Sequence, residues 1–144
     1  SEVARREDRK RGRAQRPKTR GARGRRRTHD GGMRIHHLNC ISSCPLGGKL
    51  MDGRSRSLRG LLACHCLLIE TSTELVLVDT GFGLRDVADP RSRLSRFFLA
   101  MLDPDLRPEL TAVRQIQRLG FDRDDVRHIV LTHLDFDHAG GLDD

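Results

Sequence analysis

The sequence contains no tryptophan and no tyrosine, and it contains only five phenylalanines. It also lacks an apolar run of about 18 residues, so no membrane-spanning helix is expected. A Gly-rich phosphate-binding loop, a nucleophile elbow and an internal repeat are all absent. These absences argue against a membrane protein, a P-loop nucleotide hydrolase and a serine hydrolase of the nucleophile-elbow type.

Positive charge is concentrated at the N-terminus. Residues 1–32 hold 13 Lys and Arg against 4 Asp and Glu, whereas residues 33–144 hold 14 against 16. The net charge of +7 therefore comes from residues 1–32 alone. This segment has one valine as its only large apolar residue, so it cannot bury a core and is predicted to be a disordered basic tail. Residues 33–144 are predicted to form the folded part.

Two interpretations of the tail stay open. A basic arm can bind nucleic acid through its phosphates, although residues 1–32 contain no aromatic side chain on which bases could stack. Alternatively, Met33 is the natural start and residues 1–32 are translated upstream sequence, since GC-rich sequence ahead of a start codon gives Arg/Gly/Ala-rich stretches of this kind. The segment also lacks the apolar core of a secretory signal.

The four cysteines are Cys40, Cys44, Cys64 and Cys66. Their C-x3-C and C-x-C spacings differ from the C-x2-C pairs typical of structural zinc sites. Buried or loop thiols are therefore predicted, with a structural zinc site or disulfides as alternatives. Free thiols fit a reducing compartment, and a cytoplasmic location is expected.

The pattern of apolar residues from Met33 onward predicts an α+β fold. Strands are predicted at residues 34–39, 61–70, 74–79 and 126–131, and amphipathic helices at residues 91–102 and 108–119. A loop is predicted at residues 40–60. Because the second and third strands are almost continuously apolar, burial on both of their faces is expected.

A cluster of candidate metal ligands directly follows the last strand. The segment T-H-L-D-F-D-H-A-G-G-L, residues 132–142, contains His133, Asp135, Asp137 and His138. Imidazole nitrogen and carboxylate oxygen are suitable ligands for Zn, Mn and Fe(II). The cluster therefore indicates a metal site. On spacing alone, the alternative is a helix N-terminus capped by Asp137.

The backbone conformation decides which of these side chains can converge. In an extended chain, His133, Asp135 and Asp137 share one side, and His138 joins them only if the chain bends. The glycines at 140 and 141 make such a bend easy.

Two motifs resemble those of the metallo-β-lactamase superfamily. Residues 132–141 are similar to the family signature T-H-x-H-x-D-H-x-G-G, with Asp135 in place of the second His. Residues 75–81, L-V-L-V-D-T-G, resemble the family's strand that ends in D-T-G. The resemblance covers roughly residues 33–144 and implies an αβ/βα sandwich with metal ions at one edge between two sheets.

The resemblance also implies a role for each matched residue. His133 would bind a first metal ion together with Asp135, and Asp137 and His138 would bind a second. Asp79 would be a buried residue that orients the site without binding metal. One or two zinc ions are implied, with Mn or Fe as further possibilities, because Asp135 makes the first site harder and more anionic.

The implied activity is hydrolysis by a metal-activated hydroxide, which Asp137 would help to orient. Small lactones, esters or thioesters are the expected substrates, because the acidic body offers no cationic track for phosphates. The family's remaining ligands, two His and a bridging Asp, normally follow this motif. The chain therefore resembles a truncated N-terminal half of the domain, expected neither to fold stably nor to catalyse alone. A nucleic-acid-associated protein or nuclease, and a non-catalytic relative without metal, are the alternatives.

Overall fold

The computed structural model describes residues 32–144, which form a four-stranded mixed sheet with helices along its connections. The strands, in spatial order, are β1 (Arg34–Asn39), β2 (His65–Glu70), β3 (Leu75–Val78) and β4 (Val126–Val130). The pairs β1/β2 and β2/β3 are antiparallel, and β4 joins β3 in parallel through a long crossover. All four predicted strands are present, although β2 begins at His65 and not at residue 61 as predicted. The predicted tail lies, apart from Gly32, outside the described residues.

Short helices occupy the connections. They are α1 (Lys49–Asp52), α2 (Leu84–Ala88), α3 (Arg96–Leu102), α4 (Ala112–Arg118) and α5 (Phe136–Ala139), with 3₁₀ turns at Pro90–Ser92, Pro108–Leu110, Arg123–Asp125 and Gly140–Asp143. Within residues 32–144, no helix reaches the length and hydropathy that crossing a membrane requires.

The main core lies between α4 and one face of the sheet. Ala112 and Ile116 of α4 pack on buried side chains of the strands and their flanks, which are Leu38, Cys40, Cys64, Cys66, Leu68, Leu75 and Leu77. Along β3, buried residues alternate with half-buried ones. The expectation that both faces of the central strands are buried is therefore wrong for the described residues, because α4 covers only one face.

The two predicted long helices each begin later than expected. The Ser95 hydroxyl accepts a hydrogen bond from the Phe98 N–H at 3.1 Å, so α3 starts after Ser95. Leu94 is buried just ahead of this cap, whereas Phe97 is 77% exposed. In the second predicted helix, Thr111 has an extended backbone and separates the 3₁₀ turn at Pro108–Leu110 from α4. Ser95 and Thr111 therefore interrupt apolar patterns that, taken alone, predict continuous helices.

The predicted loop at residues 40–60 contains α1 and a tight turn organised by Asp52. The Asp52 carboxylate accepts hydrogen bonds from the N–H groups of Arg54, Ser55 and Leu61, each at 2.9 Å, and one from the Ser55 hydroxyl. The Ser55 hydroxyl and these N–H groups lower the pKa of Asp52 well below its usual value of 3.8. The loop is therefore held by an ionised carboxylate.

The Asp52 turn should loosen only in strong acid. A lowered folded-state pKa means that the stabilisation is fully present above pH 3.8 and is lost as the pH falls through the folded-state value. In NMR spectra recorded against pH, the amide protons of Arg54, Ser55 and Leu61 should therefore shift together, with a midpoint below 3.8. Asp52→Asn should abolish this joint shift. A midpoint at or above 3.8 would show that the carboxylate does not anchor the turn.

Candidate metal centre

Three of the four candidate ligands converge where β3 and β4 end. His133 follows β4, and Asp137 and His138 lie in α5. One ligand atom from each of these residues lies within 4.8 Å of the other two. The ring centroids of His133 and His138 are 3.7 Å apart, and His138 Nε2 lies 3.6 Å from an Asp137 carboxylate oxygen. Two imidazoles and one carboxylate are a donor set suited to zinc.

This convergence depends on a bend in the chain between Asp135 and Phe136. The sequence had indicated a bend at the glycines 140 and 141. The backbone of Asp135 is still extended, with φ −71° and ψ 158°, and α5 begins at the next residue. The neighbouring residues Asp137 and His138 therefore both reach His133 from a helical turn. The N-cap position belongs to Asp135 and not to Asp137, so the capping alternative named the wrong residue.

Asp135 lies at the margin of the cluster. Its carboxylate is 3.5 Å from His133 Nε2, and its side chain is 78% exposed. It is not among the three residues whose ligand atoms converge. Its role as a ligand stays a prediction.

Asp79 links the end of β3 to the ligand cluster through hydrogen bonds. Its carboxylate is buried and accepts hydrogen bonds from the N–H and the hydroxyl of Thr132, both at 2.8 Å, and from His138 Nδ1 at 2.9 Å. Asp79 ends β3 with a positive φ of 57°, a conformation that Asp tolerates better than most residues. The backbone turn thus places one carboxylate within hydrogen-bond distance of both Thr132 and His138.

The charge state of Asp79 fixes the orientation of His138. Burial by itself raises the pKa of Asp79, but the hydrogen bonds from Thr132 and His138 outweigh it and lower the pKa. An ionised carboxylate only accepts, so His138 Nδ1 carries a proton, and in the neutral imidazole Nε2 presents its lone pair to the cluster. A carboxylate bonded to the far nitrogen of a histidine is the usual partner of a metal ligand. On this observation the residues fit a metal ion.

Thr80, the middle residue of the D-T-G motif, holds α5 from the strand side. Its N–H donates to the His138 carbonyl oxygen at 2.7 Å, and its hydroxyl lies 2.9 Å from the same oxygen. The hydroxyl also accepts the N–H of Gly141 at 3.0 Å. No local pattern distinguishes such a threonine from one in an ordinary turn, because its partners lie about 60 residues away.

The glycines of the motif allow close packing rather than a bend. Gly140 has an ordinary helical φ of −63°, but a Cβ there would lie 2.6 Å from a carboxylate oxygen of the buried Asp86 and 3.0 Å from the Gly81 carbonyl oxygen. At Gly141 a Cβ would lie 3.0 Å from the Thr80 carbonyl oxygen. The bend precedes both glycines, so their predicted role is corrected.

Sequence comparisons relate this chain to known proteins. The model of the Metallo-beta-lactamase superfamily matches residues 59–144. A probable metallo-hydrolase of Mycobacterium tuberculosis is 46% identical over 112 residues, which are 78% of this chain and 32% of that protein. The N-acyl homoserine lactonase AiiA of Bacillus thuringiensis subsp. kurstaki is 36% identical over 101 residues, which are 70% of this chain and 37% of that protein.

A comparison of structures shows the same fold. An N-acyl homoserine lactone hydrolase, solved with N-hexanoyl-L-homoserine at its catalytic metal centre, matches with a TM-score of 0.60 and 24% identity. The match covers 76% of this chain and 44% of that structure. The chain spans about a third of the length of the curated relatives it matches. Residues 32–144 therefore have part of the fold of those proteins.

Proposed function

The chain belongs to the metallo-β-lactamase superfamily, and from this membership we propose that the whole protein is a metal-dependent hydrolase of lactones. The whole protein here means the natural gene product that carries residues 33–144. The observation that carries the proposal is the convergence of His133, Asp137 and His138 above the buried carboxylate of Asp79. The expectation that residues 33–144 alone neither fold stably nor catalyse stays a prediction.

We assign the metal-binding role to the three converging side chains and propose zinc as the ion. When bound, zinc supplies Lewis acidity toward the substrate oxygen and lowers the pKa of water. His138 binds through Nε2, the nitrogen left free by its bond to Asp79. His133 and Asp137 complete the donor set, and Asp135 is the nearest further carboxylate. Whether one ion or two bind depends in part on Asp135.

Asp137 is proposed to have a second role as a hydrogen-bond acceptor. Its side chain is 43% exposed, so the carboxylate is accessible to solvent at the site. A carboxylate in this position accepts a hydrogen bond from the attacking water and directs its lone pair toward the substrate carbonyl. Asp79 is too deeply buried for this task, because it already accepts three hydrogen bonds from the protein.

The surroundings of the site favour an uncharged substrate with an apolar portion. Phe136 is 40% exposed and Leu134 is 81% exposed, and both lie between the proposed ligands His133 and Asp137 in the sequence. The ring of Phe98 packs edge-on against Phe136 with 5.3 Å between centroids. Apolar surface beside a few polar groups is typical of small-molecule sites. Together with the lactonase relatives, this favours acylated lactones over nucleic acids.

The proposal is tested by the ring opening of N-hexanoyl-L-homoserine lactone, followed with a pH indicator. The whole protein should hydrolyse the lactone only when zinc is present. Asp137→Ala should lower the rate by about 100-fold or more, since it removes both a ligand and the acceptor for the attacking water.

The matched control for this assay is Asp124→Ala. The Asp124 side chain is 88% exposed and pairs only loosely with Arg123, at 3.7 Å, so its loss should leave the rate unchanged. If the protein binds zinc and hydrolyses no lactone, the proposed substrate class is wrong.

A further inference from the structure

We propose that Cys64 is a positioning residue for the metal-binding turn, an inference that rests on the function proposed above. Cys64 precedes β2 and is buried, with 5% of its surface exposed. Its Sγ lies 2.8 Å from the backbone carbonyl oxygen of Asp137, 73 residues away in the sequence. Because a carbonyl oxygen can only accept, the Cys64 thiol is the donor.

The carbonyl of Asp137 needs such a donor because α5 is a single turn. In a longer α-helix it would accept from the N–H of Gly141, four residues on. That N–H instead donates to the Gly81 carbonyl oxygen and to the Thr80 hydroxyl, each at 3.0 Å. The Cys64 thiol therefore satisfies a carbonyl that belongs to a candidate metal ligand and that the helix does not cap.

Two successive carbonyls are fixed in this way from the strand side. Cys64 holds that of Asp137, and Thr80 holds that of His138 through both its N–H and its hydroxyl. Holding the two peptide planes that flank His138 fixes its backbone angles and hence the direction of its imidazole, and one of these planes also flanks Asp137. Groups that orient metal ligands typically change metal affinity by about 10–100-fold when they are removed.

Cys64 is itself held by other thiols. Cys40 and Cys66 are buried beside it in the same core cluster. Hydrogen bonds to the thiols of Cys40 and Cys64, together with burial, raise the pKa of Cys66, which therefore stays protonated at neutral pH. The single S–H proton of Cys66 can then be donated to Cys40 or Cys64, while the proton of Cys64 is directed to the Asp137 carbonyl oxygen.

The test compares Cys64→Ala with Cys64→Ser in the whole protein. The alanine variant loses the donor, so hydrogen exchange of the peptide covering residues 133–142 should speed up by about 10-fold. Its dissociation constant for Zn²⁺ should also rise by about 10-fold. The serine variant keeps a hydroxyl donor and should remain within about threefold of wild type in both measurements.

Leu75→Ala is the control, since it removes a buried side chain of the same core cluster that pairs with Glu70, at the end of β2 away from Cys64. It should lower the melting temperature without changing zinc affinity or exchange at residues 133–142. Equal effects of Cys64→Ala and Leu75→Ala on zinc affinity and exchange, or failure of serine to restore both measurements, would overturn the proposal. If wild type binds no zinc, the proposed metal site fails, whereas the exchange comparison still decides the role of Cys64.

Discussion

Asp79→Ala is expected to weaken zinc binding by about 10–100-fold, although Asp79 is not itself proposed as a ligand. The substitution removes the acceptor that holds the Nδ1 proton of His138, so the imidazole can rotate or change tautomer. It also leaves the N–H and the hydroxyl of Thr132 without their partner. The free energy of unfolding of the metal-free protein should therefore fall by roughly 2–3 kcal/mol. Competition with a chelating dye and urea denaturation measure the two effects.

Asp79→Asn separates the two contributions. The amide oxygen can still accept the N–H of Thr132, so most of the stability should return. The amide nitrogen cannot accept from His138 Nδ1, so zinc affinity should stay low.

Asp86→Asn provides the control for burial. Asp86 is fully buried, accepts the Gly83 N–H at 3.0 Å and lies 3.3 Å from Arg93, so its substitution should cost stability. Zinc affinity should remain within about threefold of wild type, because Asp86 contacts none of the three proposed ligands in the described hydrogen bonds. If Asp86→Asn weakens zinc binding as much as Asp79→Ala does, the effect comes from general loss of folding and not from orientation of His138.

The sheet could be predicted from the sequence because each strand has a compact apolar pattern bounded by turn residues. The position of Asp79 at the end of β3 followed from the same pattern, since a polar residue before Thr80 and Gly81 ends the apolar run. Burial on both faces was wrong because a strand's own sequence does not show what packs on it. Here α4 covers one face.

Caps and long-range contacts account for the remaining differences. Ser95 and Thr111 interrupt helices at positions where the apolar pattern continues, so the pattern alone predicted helices that were too long. The contacts of Cys64 and Thr80 with α5 involve residues that the parallel pairing of β3 and β4 brings close. No local signal in the sequence indicates them.

The sequence identified the candidate ligands but not which of them converge. Spacing in an extended chain groups His133, Asp135 and Asp137, whereas the turn into α5 replaces Asp135 with His138. Gly140 and Gly141 were predicted to allow a bend, but the structure shows that they allow close packing. Their lack of a Cβ permits the contact of Gly140 with Asp86, which no consideration of local backbone angles predicts.

The central claim is that His133, Asp137 and His138 together bind a divalent ion. The most direct test is calorimetric titration of the metal-free whole protein with Zn²⁺, repeated for the alanine variant of each residue. Each variant should bind at least about 100-fold more weakly than wild type, since loss of a ligand costs more than loss of a residue that only orients one.

His128→Ala provides the matched control for this titration. His128 lies in β4, is 61% exposed and pairs with Glu74 at 3.3 Å, so its removal should leave zinc binding unchanged. Stoichiometric binding by wild type and the His128 variant, with loss in all three ligand variants, is the predicted result. Zinc affinity that is the same in all five proteins would contradict the account.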